Sequence, residues 1–569
     1  MHRWLSRERY FRRHLVDRGK RMNRNFGLRL GMAGILCVLL LTSCGSSGGS
    51  PAASGSGGIL RIGMNGTTGS LDPFSARKGE YSTYTTIFPL LVTYNLRTLA
   101  FESDFAKSWQ TSPDGLTWTF QTQPAAKWSD GQPLTAADAA FTLATIAKFQ
   151  NGPTAGYASY VSDLKSAVAT GPNTLTLTYD KPVSNVLAQA GSVQLLPEHV
   201  WGTYATGDGK GLNTFANAPS RGHPVVSGGP FMLTSHVTND IETFVRNPNY
   251  YGAKPLLDGF DVKFYSSNGA MVTALKTGQI DAIDQLPTSA AQTVKASGLF
   301  VSNTPGLSFS QLTINTNPAL TSHRELLNPM VREAFEYASD RSQIANVVYN
   351  GYAQPGNTIE PPAIGQWRDP NIPAVPFDIT KANQLLDQAG LPRGPGGVRQ
   401  ANGQPMSYQV LLTSDLAPLF QILQSDYQKI GVQLTAQSLD SKAEFAAIAA
   451  NNYGTFTLAL DSGGGPQAFD PNFGLSQLTC ALRTEGDDTG YCNPAYDSLY
   501  SQQGTVQGDQ RVQLVYQMQQ LIHNDRPLIA LDNINNVDAW STKWTGFAET
   551  PDGIFTFLSP LTLTGVHRS

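Results

Sequence analysis

The stretch "GLTWTFQTQPAAKWSDGQPLTAADAAFTLATIAKF" (residues 115–149) changes its period halfway along. "LTWTF" alternates apolar and polar residues, as a half-buried strand does, and "SDGQP" is a turn. Thr135 and Asp138 then stand three apart, the spacing of a helix N-cap and the acid that reaches back to it. The apolar positions Phe141, Leu143, Ile146 and Phe149 follow at helical intervals. Trp118 and Trp128 are read as core residues. A strand that hands over to a helix in this way belongs to an α/β chain.

The same alternation extends outward in both directions. "ILRIGMNG" (59–66), "TLTLTY" (174–179), "DVKFYSS" (261–267) and "IDAIDQL" (280–286) read as strands. "GPFMLTSH" and "IETFVRNP", joined by "VTND", read as a hairpin. "GAMVTALKTG" is a short helix stopped at Gly278. Asn328 caps a helix with Pro329 at its first position, where a missing N–H costs nothing. Asp340 caps the next, "RSQIANVVYNG". Ala382, Leu385, Leu386 and Ala389 share one face of a helix ended by Gly390 and Pro392. "LFQILQSDYQKIGVQLTAQSL" is a helix, a glycine stop and a strand. There is no internal repeat. The expectation is α/β lobes with mixed sheets, crossing from one to the other near "FSQLTINTN" (309–317).

The N-terminal region is of another kind. Residues 1–30 carry ten Lys and Arg against Glu8 and Asp17. A run of apolar residues from Gly31 to Thr42 follows, too short to cross a hydrocarbon core of about 20 residues. Together they describe an export signal over residues 1–43, with Met22 an alternative start. Leu41-Thr42-Ser43-Cys44 resembles the bacterial lipobox, which makes Cys44 the first mature residue and the site of lipidation. Residues 44–58 are a Gly/Ser-rich spacer that tethers a folded body to the membrane. Residues 1–43 hold ten of the 40 basic and two of the 43 acidic residues, so the rest has 30 against 41, a net −11. Such an acidic body excludes nucleic acid as the expected partner. Its 526 residues are too many for one core. Cys480 and Cys492 form an even pair in an exported chain and read as a disulfide.

No catalytic constellation is visible, and the expectation is a binder rather than an enzyme. A G-x-S-x-G motif occurs at residues 45–49, inside the spacer, without the strand and helix that a nucleophile elbow needs. "GDGKG" (207–211) lacks the spacing of a phosphate loop. The eight His are scattered, so neither a metal nor a cofactor is expected.

Six segments, in order, resemble the dipeptide/oligopeptide/nickel class of ABC-transporter substrate-binding proteins. They are "DGLTWTFQTQPAAKWSDGQPLTAADAAFTL", "SGGPFMLTSHVTNDIETFVRNPNYYG", "LNPMVREAFEYASDRSQIANVVYNGYAQP", "FDITKANQLLDQAG", "YQKIGVQLT" and the region from "FDPNFGL" to "CNPAYDSL". The resemblance implies a two-lobed periplasmic-binding-protein-like clamp. Its first lobe would take residues 59–312, with a subdomain near 95–205, and residues 532–569. The second would take 313–531, with two crossing segments as the hinge. It implies an oligopeptide held between the lobes by a monomer on the outer face of the cytoplasmic membrane, and delivery to permease and ATPase subunits. Haem, glutathione, a metal chelate or an oligosaccharide are alternative cargoes. An exported hydrolase and a sensor that feeds no permease are alternatives of other classes.

Peptide-binding members place an Asp three positions before the acid of a D-P or E-P pair, to hold the peptide's α-ammonium. Here the pair is Asp470-Pro471 and the third position before it is Gln467, which offers no charge. Asp461, across "SGGGP", is either its replacement or an ordinary strand-end residue. Gly463, Gly464 and Gly465 either let the backbone approach a ligand or form a surface loop. Phe469 and Asp470 complete this segment. Glu80, Tyr81 and Tyr84 match a region that lines the cleft in relatives, and Tyr349 and Tyr352, which follow the second-lobe helix, are further cleft candidates; for the tyrosines the other reading is core packing.

Overall fold

The computed structural model describes residues 57–66, 71–75, 80–95, 98, 100–464, 470–483, 489–556 and 559–569. The segment expected to be an export signal, Cys44 and most of the expected spacer lie outside them.

Two large mixed sheets organise the chain. The first runs, strand by strand, Phe300–Val301, Ala539–Trp540, Ala282–Ile283, Ile59–Asn65, Gly259–Tyr265, Ile241–Arg246 and Phe231–Val237. Ile59–Asn65 is parallel to both of its neighbours, and the rest is antiparallel. A four-stranded antiparallel sheet belongs to the same lobe, in the order Ala106–Thr111, Thr117–Thr122, Thr174–Tyr179, Leu164–Gly171. Trp118 sits opposite Leu177, and Phe120 opposite Leu175. The inward residues of both sheets, with Trp128 and with Leu143 and Ile146 of the helix Ala136–Phe149, form one continuous core. Burying each such side chain contributes roughly 1.5–3 kcal/mol.

The second large sheet runs Ala353–Pro355, Asp532–Asn536, Thr304–Ile314, Leu458–Gly464, Ser407–Thr413, Gln433–Leu439, and Leu528–Ala530 also pairs with Thr304–Ile314. Leu312, Ile314, Val410, Leu412, Leu458 and Leu460 face the helices Pro329–Tyr337, Ile379–Gln388 and Ala417–Lys429. On the other face Phe309 packs with Tyr496, Val515 and Met518 of the helices Pro494–Gln503 and Gly508–Asp525. Cys480 and Cys492 are joined by a disulfide beside that second core.

The helix starts follow their local chemistry. Thr135 Oγ1 accepts from Ala137 N–H at 3.2 Å and Asp138 Oδ2 from Thr135 N–H at 2.9 Å, closing the capping box. Asn328 and Asp340 cap their helices as the sequence predicts. Two elements differ. Only Ala282–Ile283 of "IDAIDQL" pairs as strand, because Asp281 and Asp284 turn to fixed partners at its ends. "RSQIANVVYNG" is helical for Arg341–Gln343 and then widens into a π turn, Ile344–Val348.

The chain passes from the first sheet to the second between Val301 and Thr304, not near 309–317, and returns between Asn536 and Ala539. The expected divisions at 312 and 531 therefore fall within or beside strands of the second sheet. The two passages are stitched together. Ser302 N–H donates to the Asp538 carbonyl at 2.9 Å, and Asp538 N–H to Ser302 Oγ at 2.8 Å. Asn535 Nδ2 donates to Asn303 Oδ1 at 2.8 Å. Away from this hinge, Ser184 N–H donates to the Gly504 carbonyl at 2.9 Å, a direct bond from one lobe to the other.

A candidate ligand cleft at the lobe junction

The strand Leu458–Gly464 lies antiparallel to Thr304–Ile314, with Asp461 opposite Gln311, Gly463 opposite Phe309 and Gly464 opposite Ser308. A Cβ on Gly463 would meet the Phe309 ring at 2.3 Å. A Cβ on Gly464, whose φ is +81°, would lie 2.0 Å from the Leu307 carbonyl oxygen. The glycines thus let this strand close onto the strand Thr304–Ile314. Leu307 in turn is buried with Tyr94, and Phe101, from the first lobe, and Ile364 from the second. Asp461 is half-buried and accepts from Thr313 Oγ1 at 2.8 Å, so its carboxylate is engaged on the sheet.

Asp470 is buried and holds Arg511 by two bonds of 2.6 and 2.7 Å. The third face of the guanidinium donates to Gln503 Oε1 at 2.9 Å, and its plane lies 4.8 Å from the Trp367 ring. Trp367 ends the turn Pro362–Trp367, whose Ala363 and Ile364 meet Tyr94. Burial, then the negative charge of Asp470, keep the proton on the Tyr94 hydroxyl. The same two causes push the Glu360 carboxyl up to about 8.

The remaining predicted residues are dispersed. Tyr349 packs against the core around Leu312 and Ile314, and its hydroxyl lies 2.8 Å from Ser310 Oγ, beside Asp532, whose carboxyl burial pushes up to about 7. Tyr352 leans on the small core around Met271 and Val537, and its carbonyl accepts from Asn535 N–H at 3.0 Å, at the hinge. Tyr84 is fully buried in the first-lobe core, 6.5 Å from the Phe88 ring. Glu80 and Tyr81 open the helix Glu80–Ile87. Gly465, Gln467 and Phe469 lie outside the described residues. The structure therefore brings Asp461, Gly463 and Gly464 together at the lobe junction. Sequence reasoning missed Glu360, Trp367 and Arg511. The only trace was an acid set in the apolar, proline-bounded run "TIEPPAI". Among the described residues no group of His, Cys, Asp and Glu could hold a metal.

Two cored lobes, linked by two stitched passages and meeting around buried charges and glycines, define a solute-binding clamp. The description of the bacterial extracellular solute-binding proteins, family 5 (middle region), matches residues 100–483. The chain belongs to that family. It is 24% identical over 522 residues to the glutathione-binding protein GsiB of Salmonella typhimurium, covering 89% of this chain and 94% of that one. Its fold matches DppA of Helicobacter pylori, solved with the peptide STSA, at a TM-score of 0.71 and 22% identity, covering 90% and 98% of the two chains. It matches the oligopeptide-binding protein AppA of Bacillus subtilis, solved with a nonapeptide, at 0.71 and 20%, covering 91% and 100%.

Proposed function

We propose that this protein is the lipid-anchored substrate-binding subunit of an ABC importer, which captures oligopeptides between its lobes and hands them to a membrane permease. The observation that carries the reading is the junction itself. Two separately cored sheets connect through paired passages at residues 301–304 and 536–539, and a ligand touching both lobes favours the shut arrangement over the open one. The peptide-bound relatives support the cargo class. On this reading residues 59–301 with the C-terminal segment form one lobe, and the residues between the passages the other. Cys44 carries the lipid, the chain works as a monomer, and it catalyses nothing.

Native mass spectrometry of the chain expressed from residue 45 and never unfolded tests the cargo. A series of adducts that sequence as short peptides is the expected result. A single non-peptide adduct, or an empty cleft that ignores peptide mixtures, overturns the peptide assignment and leaves the family in place.

A further inference from the structure

Glu360 stands on the loop between the edge strand Ala353–Pro355 and the turn Pro362–Trp367. That turn packs its Ile364 against Tyr94 of the first lobe and Leu307 of the strand Thr304–Ile314. Glu360 is therefore carried by the segment on which the lobes meet. It is 3% exposed, and its Oε1 has no hydrogen-bond partner among the described residues. A buried carboxyl oxygen with nothing to bond loses its water without compensation.

The charges around it make the deficit specific. Asp470 acts on Glu360 through its charge, and Asp470 and Arg511 both act on the Tyr94 and Tyr500 hydroxyls. Arg511 has committed both terminal nitrogens to Asp470 and its Nε to Gln503. None of its described hydrogen bonds goes to Glu360. The cluster thus holds two carboxyls against one cation already paired with Asp470. What is lacking is a positive group with N–H donors.

We propose that Glu360 is the acidic anchor of the cleft and takes a cationic group of the cargo, the α-ammonium or a basic side chain of a peptide. This rests on the binding role proposed above and names the cargo chemistry within it. In the empty cleft burial keeps the carboxyl protonated near neutral pH. A bound cation favours the carboxylate, so one proton leaves as the ligand enters. Affinity for a cation then rises between pH 6 and 7.5, below the point at which a peptide's own α-ammonium is lost.

The test compares wild type with Glu360→Gln in calorimetric titrations at two pH values. The probes are tetra-alanine, N-acetyl-tetra-alanine and argininamide. The expected result is roughly tenfold or greater loss of tetra-alanine affinity in the variant, little change for the acetylated peptide, and proton release in wild type alone. The empty variant should also melt about 1–3 °C higher at pH 8, because a buried carboxyl that strains the fold has gone. A merely structural glutamate would lower the melting point instead. Equal binding of both peptides by both proteins overturns the anchor and keeps the peptide reading. Binding of argininamide alone, lost in the variant, overturns the peptide reading and keeps the anchor. Wild type that binds none of the three probes overturns the anchor.

Discussion

Arg511 and Asp470 form a buried ion pair in which each charge depends on the other for its partner. Both are almost fully buried, and the guanidinium donates two bonds to Asp470 and a third to Gln503. Breaking such a pair leaves an uncompensated charge and costs about 3–5 kcal/mol, whereas replacing both partners with apolar groups of similar volume is often neutral. Asp470→Asn and Arg511→Met should therefore each lower the urea midpoint strongly. The double variant Asp470→Leu/Arg511→Met should recover most of the loss, and a double variant no better than the singles refutes the account. This pair was not legible in the sequence, since 41 residues separate its members. The caps at Thr135, Asn328 and Asp340 were legible, because donor and acceptor lie within three residues and need no tertiary context.

Among the elements, strands with two buried faces or clean alternation declared themselves. Thr174–Tyr179 is found where its alternation predicts. Ala106–Thr111 gave no such signal, because most of its side chains are polar and exposed at a sheet edge. The strand Leu458–Gly464 owes its last residues to glycine. Gly464→Ala forces a left-handed φ on a side chain that also collides with backbone. It should lower stability by at least about 1 kcal/mol and weaken peptide binding, as read by thermal melting and by titration with a bound-peptide mixture; an unchanged protein would show that the strand does not depend on that close approach. The bond between Cys480 and Cys492 closes a short loop against the second core. Cys480→Ala/Cys492→Ala should cost roughly 3 kcal/mol in a urea titration, and no loss would mean that the loop is ordered by its packing alone.

At the scale of the whole molecule, buried carboxyls set the response to pH. Burial raises Asp104 to about 6, Asp532 and Asp538 to about 7, and Glu360 to about 8. In the unfolded chain they ionise near 4. Each therefore contributes stability that is fully present below pH 4 and is lost as pH rises through its folded value, at up to about 1.4 kcal/mol per unit per group. The empty protein should unfold at lower temperature at pH 8 than at pH 5, and Asp538→Asn at the hinge should flatten that slope in scanning calorimetry. A melting temperature constant over this range would refute it. The two-lobed division was legible from length and from the order of the segments, but the passages at 301–304 and 536–539 were not. Strand Thr304–Ile314 starts at a proline and a glycine, which read as a turn rather than as sheet. On the proposed reading, the bond from Ser184 to Gly504 holds the lobes together without cargo. One such bond is worth about 0.5–1.5 kcal/mol net, or roughly a 2- to 13-fold bias toward the shut form with no cargo aboard. A receptor that reads only shape would then answer empty carriers as noise. For a hundredfold contrast between loaded and idle, cargo must add about 2.7 kcal/mol more to the shut form than to the open one.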